Sequence, residues 1–170
     1  MSTHRNVELP PADPTPTAPV RHALANGATW EGVDVLRYKQ DPGVPFKDVT
    51  RQVLFQQPTL GCELRYFEVA PGGYSTLERH EHSHAVLILR GAGRCLVGDA
   101  VHLLGLHDLV HIPAMTWHQF RAGPDQPLGF LCMVNQQRDR PQLPTAAEQA
   151  ALADHPAIAA FLAGPELPLP

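Results

Sequence analysis

From Trp30 to Val134 the chain is a succession of short runs suited to β-strands, broken by turns that carry glycine and proline. The runs are Val33 to Tyr38, Arg51 to Phe55, Glu63 to Val69, Ala85 to Leu89, Arg94 to Val97, Leu109 to Ile112 and Leu128 to Val134. Pro71-Gly72-Gly73, Gly91-Ala92-Gly93, Gly98-Asp99 and Gly123-Pro124-Asp125 punctuate them at the spacing of antiparallel hairpins. Closely spaced strands with no helical period between them exclude alternating βα units. They predict an all-β domain, a single antiparallel β-barrel or sandwich.

The two ends read differently. Residues 1–28 are expected to form a flexible Pro-rich tail, because Met1 to Pro19 is rich in Pro, Thr and Ala and offers no apolar period to offset its ordering entropy. Residues 29–140 are assigned to the barrel domain. Residues 141–170 are assigned to a short C-terminal helical extension: Thr145-Ala146-Ala147-Glu148 has the form of a capping box, and Pro156 suits the first turn of a second helix closed by Gly164-Pro165. With no cluster of reactive side chains, this extension is read as a packing brace rather than a lid.

At 170 residues the chain fits one domain. Cys62, Cys95 and Cys132 are too few and odd in number for a disulfide framework, so a reducing, cytoplasmic setting is expected. No stretch approaches the roughly 20 apolar residues of a membrane span, and there is no leader-like N-terminus. A net charge of −4 gives no basic footprint for nucleic acid. A small-molecule partner is the expectation.

Chemistry is concentrated in one region. Seven of the ten histidines lie between His80 and His118, and three of them fall within His80-Glu81-His82-Ser83-His84. Neutral imidazole and carboxylate are the usual ligands of first-row divalent ions, and a strand sends alternate residues to one face. Glycines frame the run: Gly72 is followed after five residues by Glu78, then after one by His80, after three by His84 and after six by Gly91. Downstream, Pro113 precedes His118 with four residues between.

These paired motifs resemble those of the cupin superfamily, whose first motif is Gly, five residues, His, one, His, three or four, Glu, six, Gly, and whose second contains Pro-x-Gly-x-x-His. The resemblance spans about Glu63 to Asn135 and implies a cupin-type jelly-roll barrel with one divalent metal ion. The ligand types are permuted here, so Glu78, His80, His84 and His118 are the expected ligands, with His82 as the main rival. Mn(II) is the first expectation for the ion, with Fe(II), Ni(II) and Zn(II) as alternatives. The family's frequent dimers imply a homodimer. His102, His107 and His111 have weaker cases as ligands, and His107, which stands where the second motif has a further turn glycine, is expected at the surface.

Residues beside such a centre decide the reaction. Cys132 lies on the strand after the His118 motif and is either a buried small hydrophobe or a nucleophile whose thiolate a nearby cation stabilises. Arg51, Arg65 and Tyr66 precede the first motif and are candidate binders of a phosphate or carboxylate, although neighbours Arg65 and Tyr66 cannot both face inward. Gln119 is a candidate donor to a substrate hydroxyl. Cys62 and Cys95 are read as packing residues.

The longer string, from Leu64-Arg65-Tyr66-Phe67-Glu68 through Glu78-Arg79-His80-Glu81-His82 to Trp117-His118-Gln119-Phe120-Arg121 and Leu128-Gly129-Phe130-Leu131-Cys132, resembles a bacterial branch of small cupins from methylthioadenosine salvage. That resemblance implies methylthio removal from methylthioxylulose 5-phosphate to give 1-deoxyxylulose 5-phosphate, with Cys132 as nucleophile and a thiol as co-substrate. The alternatives are a cupin dioxygenase acting on a thiol or diol, and a non-catalytic metal-binding or ligand-binding cupin.

Overall fold

The computed structural model describes residues 21–39 and 43–164. A small two-stranded hairpin, β1 (Leu24–Ala25) and β2 (Thr29–Trp30), leads into a nine-stranded antiparallel sheet. The strands of that sheet are β3 (Leu36–Arg37), β4 (Lys47–Gln57), β5 (Cys62–Tyr74), β6 (His84–Gly91), β7 (Gly93–Val97), β8 (Ala100–Leu104), β9 (Leu109–Ile112), β10 (His118–Ala122) and β11 (Leu128–Asn135). They run in the order β8-β7-β10-β5-β11-β6-β9, with β4 added on β5 and β3 on β4. The sheet curls around one apolar core, as the expected all-β barrel requires.

Strand β11 shows how the sequence selects its inward face. Leu128, Phe130, Cys132 and Val134 are buried while Met133 and Asn135 are exposed, the period of two that a half-buried strand imposes. Phe67 and Val69 of β5, Val86 and Ile88 of β6, and Phe120 of β10 complete this core.

Most of the turn signals do something other than close a hairpin. Gly98-Asp99 alone among the four joins strands that pair, β7 and β8. Pro71-Gly72-Gly73 lies inside β5 and bends it. Gly72 has φ +69, and a Cβ on Gly73 would lie 2.7 Å from the Lys47 carbonyl oxygen. Before the bend β5 pairs with β4 and β11, and after it Tyr74 pairs with Arg121 of β10. One long strand therefore serves both halves of the curl. Gly91 and Gly93 hand the chain from β6 to β7, which are not neighbours, and Gly123 to Asp125 lead from β10 to β11 on either half of β5. Strands β8 and β10 were not expected from the sequence. In β10 even the outward positions are covered, which removes the polar alternation that marks a half-exposed strand.

The expected tail lies outside the described residues as far as residue 20. Its last part belongs to the small hairpin, where Gln52 Nε2 donates to the Ala28 carbonyl at 2.7 Å and Trp30 N donates to Gln52 Oε1 at 3.2 Å. The Trp30 ring meets Tyr66 edge-on at 4.8 Å.

At the other end, α1 (Ala146–Ala153) opens with the capping box formed by Thr145 and Glu148, and α2 (Pro156–Ala163) starts on its proline. Ile158 and Phe161 of α2 are buried against Leu96 on the outer face of β7. Each such side chain contributes about 1.5–3 kcal/mol on burial. The Arg121 guanidinium stacks between Tyr74 and Phe161 and donates to the Leu162 carbonyl at 3.0 Å. The extension thus braces the sheet. No helix among the described residues is long and apolar enough to cross a membrane.

Candidate metal centre

Three histidines converge at one end of the barrel. His84 opens β6, His118 opens β10, and His80 sits on the segment leading into β6. That segment is tied to β10 by a two-residue bridge, Glu78 N to His118 O at 3.1 Å and His118 N to Glu78 O at 3.0 Å. Met115 N donates to the His80 carbonyl at 2.7 Å. The ring centroids lie 4.8 to 5.1 Å apart, and one nitrogen from each ring falls within 4.8 Å of the others.

The remaining nitrogens fix the direction of these rings. His80 Nδ1 donates to the His82 carbonyl at 2.7 Å, and His118 Nδ1 donates to the Thr116 carbonyl at 2.9 Å. Both rings are thereby held with a bare Nε2 lone pair. His84 Nδ1 lies 3.2 Å from Cys132 Sγ, and its Nε2 is buried without a hydrogen-bond partner. A buried orphan nitrogen is costly unless something binds it. Burial pushes the imidazolium pKa of His84 down to about 2 and that of His118 to about 4, and it lowers His80 as well. All three are neutral near pH 7, which is the ligand form. The donor set fits a divalent first-row ion with further positions open.

Two expected ligands stand outside this trio. The His82 ring stacks on His80 at 3.7 Å and its Nδ1 is bound by Asp139 Oδ1 at 2.6 Å, but it does not join the three histidines whose nitrogens lie within 4.8 Å of one another. The bend between His80 and His84 breaks strand alternation and turns His82 aside. Glu78 is ion-paired with Lys39, and its Oε1 accepts from Tyr38 OH at 3.5 Å. It lines the same cavity as the histidines without joining the three-histidine group.

Cys132 is 2% exposed and lies next to the centre. Its Sγ accepts from Arg65 Nη2 at 3.3 Å on one side and meets His84 on the other. Burial raises the thiol pKa, and the neighbouring Arg65 guanidinium opposes that rise. Arg51 and Arg65 both line the cavity.

Tyr66 and Gln119, expected among the substrate binders, do not line the cavity. Tyr66 follows Arg65 on β5, and once Arg65 faces inward Tyr66 must face out, where it is buried under Trp30 with its hydroxyl on Glu68. Gln119 follows His118 in the same way. Its Nε2 donates to the Ser75 carbonyl at 2.8 Å and its Oε1 accepts from Arg121 Nε at 3.1 Å.

The cavity also contains Tyr38, Lys39, Arg138 and Asp139, which sequence reasoning missed. The last two follow closely on β11, so the end of that strand next to the Cys132 run was the available signal. His102, His107 and His111 are exposed, as expected for His107, which holds φ +71 at its turn position. Met115 occupies the glycine place of the second motif with φ +55.

Comparison with known proteins agrees with this geometry. Residues 65–134 match the Cupin domain family. A 1-methylthio-D-xylulose 5-phosphate methylsulfurylase of Rhodospirillum rubrum is 59% identical over 135 residues, covering 79% of this chain and 86% of that protein. Among solved structures, a cupin 2 conserved barrel domain protein from Rhodopseudomonas palustris is 56% identical with a TM-score of 0.79, covering 84% of this chain and 98% of that one. A cupin-2 domain from Rhodospirillum rubrum is also 56% identical, with a TM-score of 0.77 and coverage of 86% and 98%. The barrel, the three-histidine centre and these relatives together identify the chain as a member of the cupin family.

Proposed function

We propose that the protein is a metal-dependent methylsulfurylase that takes the methylthio group from 1-methylthioxylulose 5-phosphate and yields 1-deoxyxylulose 5-phosphate. The observation that carries this reading is the 59% identity to the Rhodospirillum rubrum methylsulfurylase over most of both chains. His80, His84 and His118 would hold the ion, Mn(II) in the first instance, with the Glu78 carboxylate nearby as a negative complement to its charge. When bound, the ion supplies Lewis-acid polarisation of the ketose carbonyl.

The protein's own chemistry falls to Cys132. Its thiolate, with Arg65 and His84 on either side, attacks the methylthio sulfur of the substrate. A sulfur–sulfur bond forms, the C1–S bond breaks, and the electron pair passes to C1 as an enolate that takes up a proton from water or a site acid. A thiol co-substrate such as glutathione then attacks the methylthio sulfur of the mixed disulfide, which releases a methyl disulfide and restores Cys132. Oxygen takes no part, which separates this reading from a dioxygenase.

Anaerobic incubation of Mn(II)-loaded protein with the methylthioketose phosphate and glutathione tests the proposal. Formation of the deoxyketose phosphate supports it. Turnover that appears only with oxygen, or no turnover with any of the four metals, refutes it. A cytoplasmic homodimer completes the reading. Three free cysteines suit a reducing compartment, and the exposed Leu109 and Met133 on the outer sheet face suit a subunit contact.

A further inference from the structure

Four adjacent strands, β4, β5, β11 and β6, carry a row of inward side chains that ends at the metal centre. Arg65 faces Cys132 directly across the β5–β11 pair. Arg51 faces Phe67, one inward position from Arg65, and His84 lies one inward position from Val86, which faces Cys132. The order across the sheet is therefore Arg51, Arg65, Cys132, His84. Diagonal neighbours at this offset are within reach for long side chains, roughly 7–8 Å between backbones.

The two arginines differ from the other cations of the cavity. Lys39 is paired with Glu78 and Arg138 with Glu63. Neither Arg51 nor Arg65 is in ion-pair contact with a carboxylate among the described residues, and the Nε of each is buried with no hydrogen-bond partner. Two neighbouring guanidinium groups with orphan buried donors are unfavourable by mutual repulsion and by unmet hydrogen bonding. An oxyanion relieves both, because its oxygens match the planar fork of arginine. Burial lowers the Arg51 pKa, and the adjacent charge of Arg65 lowers it further, which is the electrostatic mark of that repulsion.

We propose that Arg51 and Arg65 form an oxyanion subsite that takes the phosphomonoester end of the substrate, with Arg65 shared between that anion and the Cys132 sulfur. This rests on the methylsulfurylase reading only for the name of the ester, since the subsite follows from two neighbouring arginines whose Nε atoms are buried without a partner and which have no carboxylate in contact among the described residues. Arg51 is a binding residue and takes no part in bond breaking.

The test uses the full chain, both Mn(II)-loaded and chelator-treated, with inorganic phosphate as the probe. Phosphate is expected to raise the melting temperature of both forms and to compete with the phosphorylated ketose. Arg51→Met is expected to weaken phosphate binding and raise KM for the ketose by about tenfold or more, the scale of one charge-assisted contact. Its KM for glutathione and its metal content are expected to stay within about threefold, a difference below 1 kcal/mol. Arg51→Lys should recover part of the phosphate affinity, because charge is kept and the fork is lost.

If phosphate fails to stabilise the chelator-treated wild-type protein, the subsite is refuted without recourse to any variant. Phosphate binding that depends on the metal and ignores Arg51→Met refutes it too, as does a KM change for glutathione rather than the ketose. Phosphate binding to the wild-type protein that is lost in Arg51→Met, with no turnover of the ketose by the wild-type protein, would uphold the subsite and sink the methylsulfurylase reading, so the two failures are distinguishable.

Discussion

His84 Nδ1 lies 3.2 Å from Cys132 Sγ, while the other nitrogen of the same ring, Nε2, is the buried unpaired atom of the three-histidine group. One imidazole therefore touches both the candidate nucleophile and the candidate metal site. Ligand geometry and thiol environment are coupled through it, and the two functions can be separated by choosing which side to alter.

Cys132→Ser keeps all three histidines and nearly the same volume. Metal content is expected to remain at one ion per chain while methylthio transfer falls by roughly a thousandfold or more, as for loss of a nucleophile that works with its neighbours as a unit. Elemental analysis and product assay on the same sample check this. Full activity in the serine variant would remove Cys132 from the mechanism.

His118→Ala removes one of the three candidate ligands without touching Cys132. Metal affinity should drop by more than about a hundredfold, beyond the usual loss for an outer-shell change. Competition with a chelator measures it. Unchanged affinity would mean that the converging Nε2 atoms are not the metal site.

The metal-free protein should lose stability as pH falls from 6.5 toward 4. Burial holds His118 at about 4 and His84 at about 2, below the ordinary 6.5, so the unfolded chain binds more protons throughout that window. Stability from these groups is complete above 6.5 and is lost as pH falls through the folded values. Urea midpoints between pH 7.5 and 4 read the effect, with the range set by the ordinary histidine pKa. His118→Gln should flatten the slope, and an equal slope in that variant would assign it to other groups.

Phe161→Ala tests the brace. Phe161 is 0% exposed against Leu96 and the Arg121 guanidinium, and its truncation should cost about 3–5 kcal/mol. Metal affinity is expected to change little, because α2 covers the outer face of the sheet whose inner face holds His118. Denaturant unfolding with parallel metal titration checks both halves.

The strand runs, the Thr145 capping box and the framing glycines are local signals, so the all-β architecture, the helical extension and the histidine-rich centre are legible in the sequence. Alternation along a strand also showed that Arg65 and Tyr66 must face opposite ways. It could not say which one faced in. That choice belongs to pairing with β11, where Arg65 meets Cys132, and to the hairpin that covers Tyr66 with Trp30. His82 and His84 are equally good ligands by composition, and only the tertiary arrangement, with a bend after His80 and His82 held by Asp139, leaves His82 outside the three-histidine group. Residue type and period thus determined the fold class and the chemistry available to the protein. Strand register, a sum of non-local hydrogen bonds and packing, decided that His84, Cys132, Arg65 and Arg51 share one inward row.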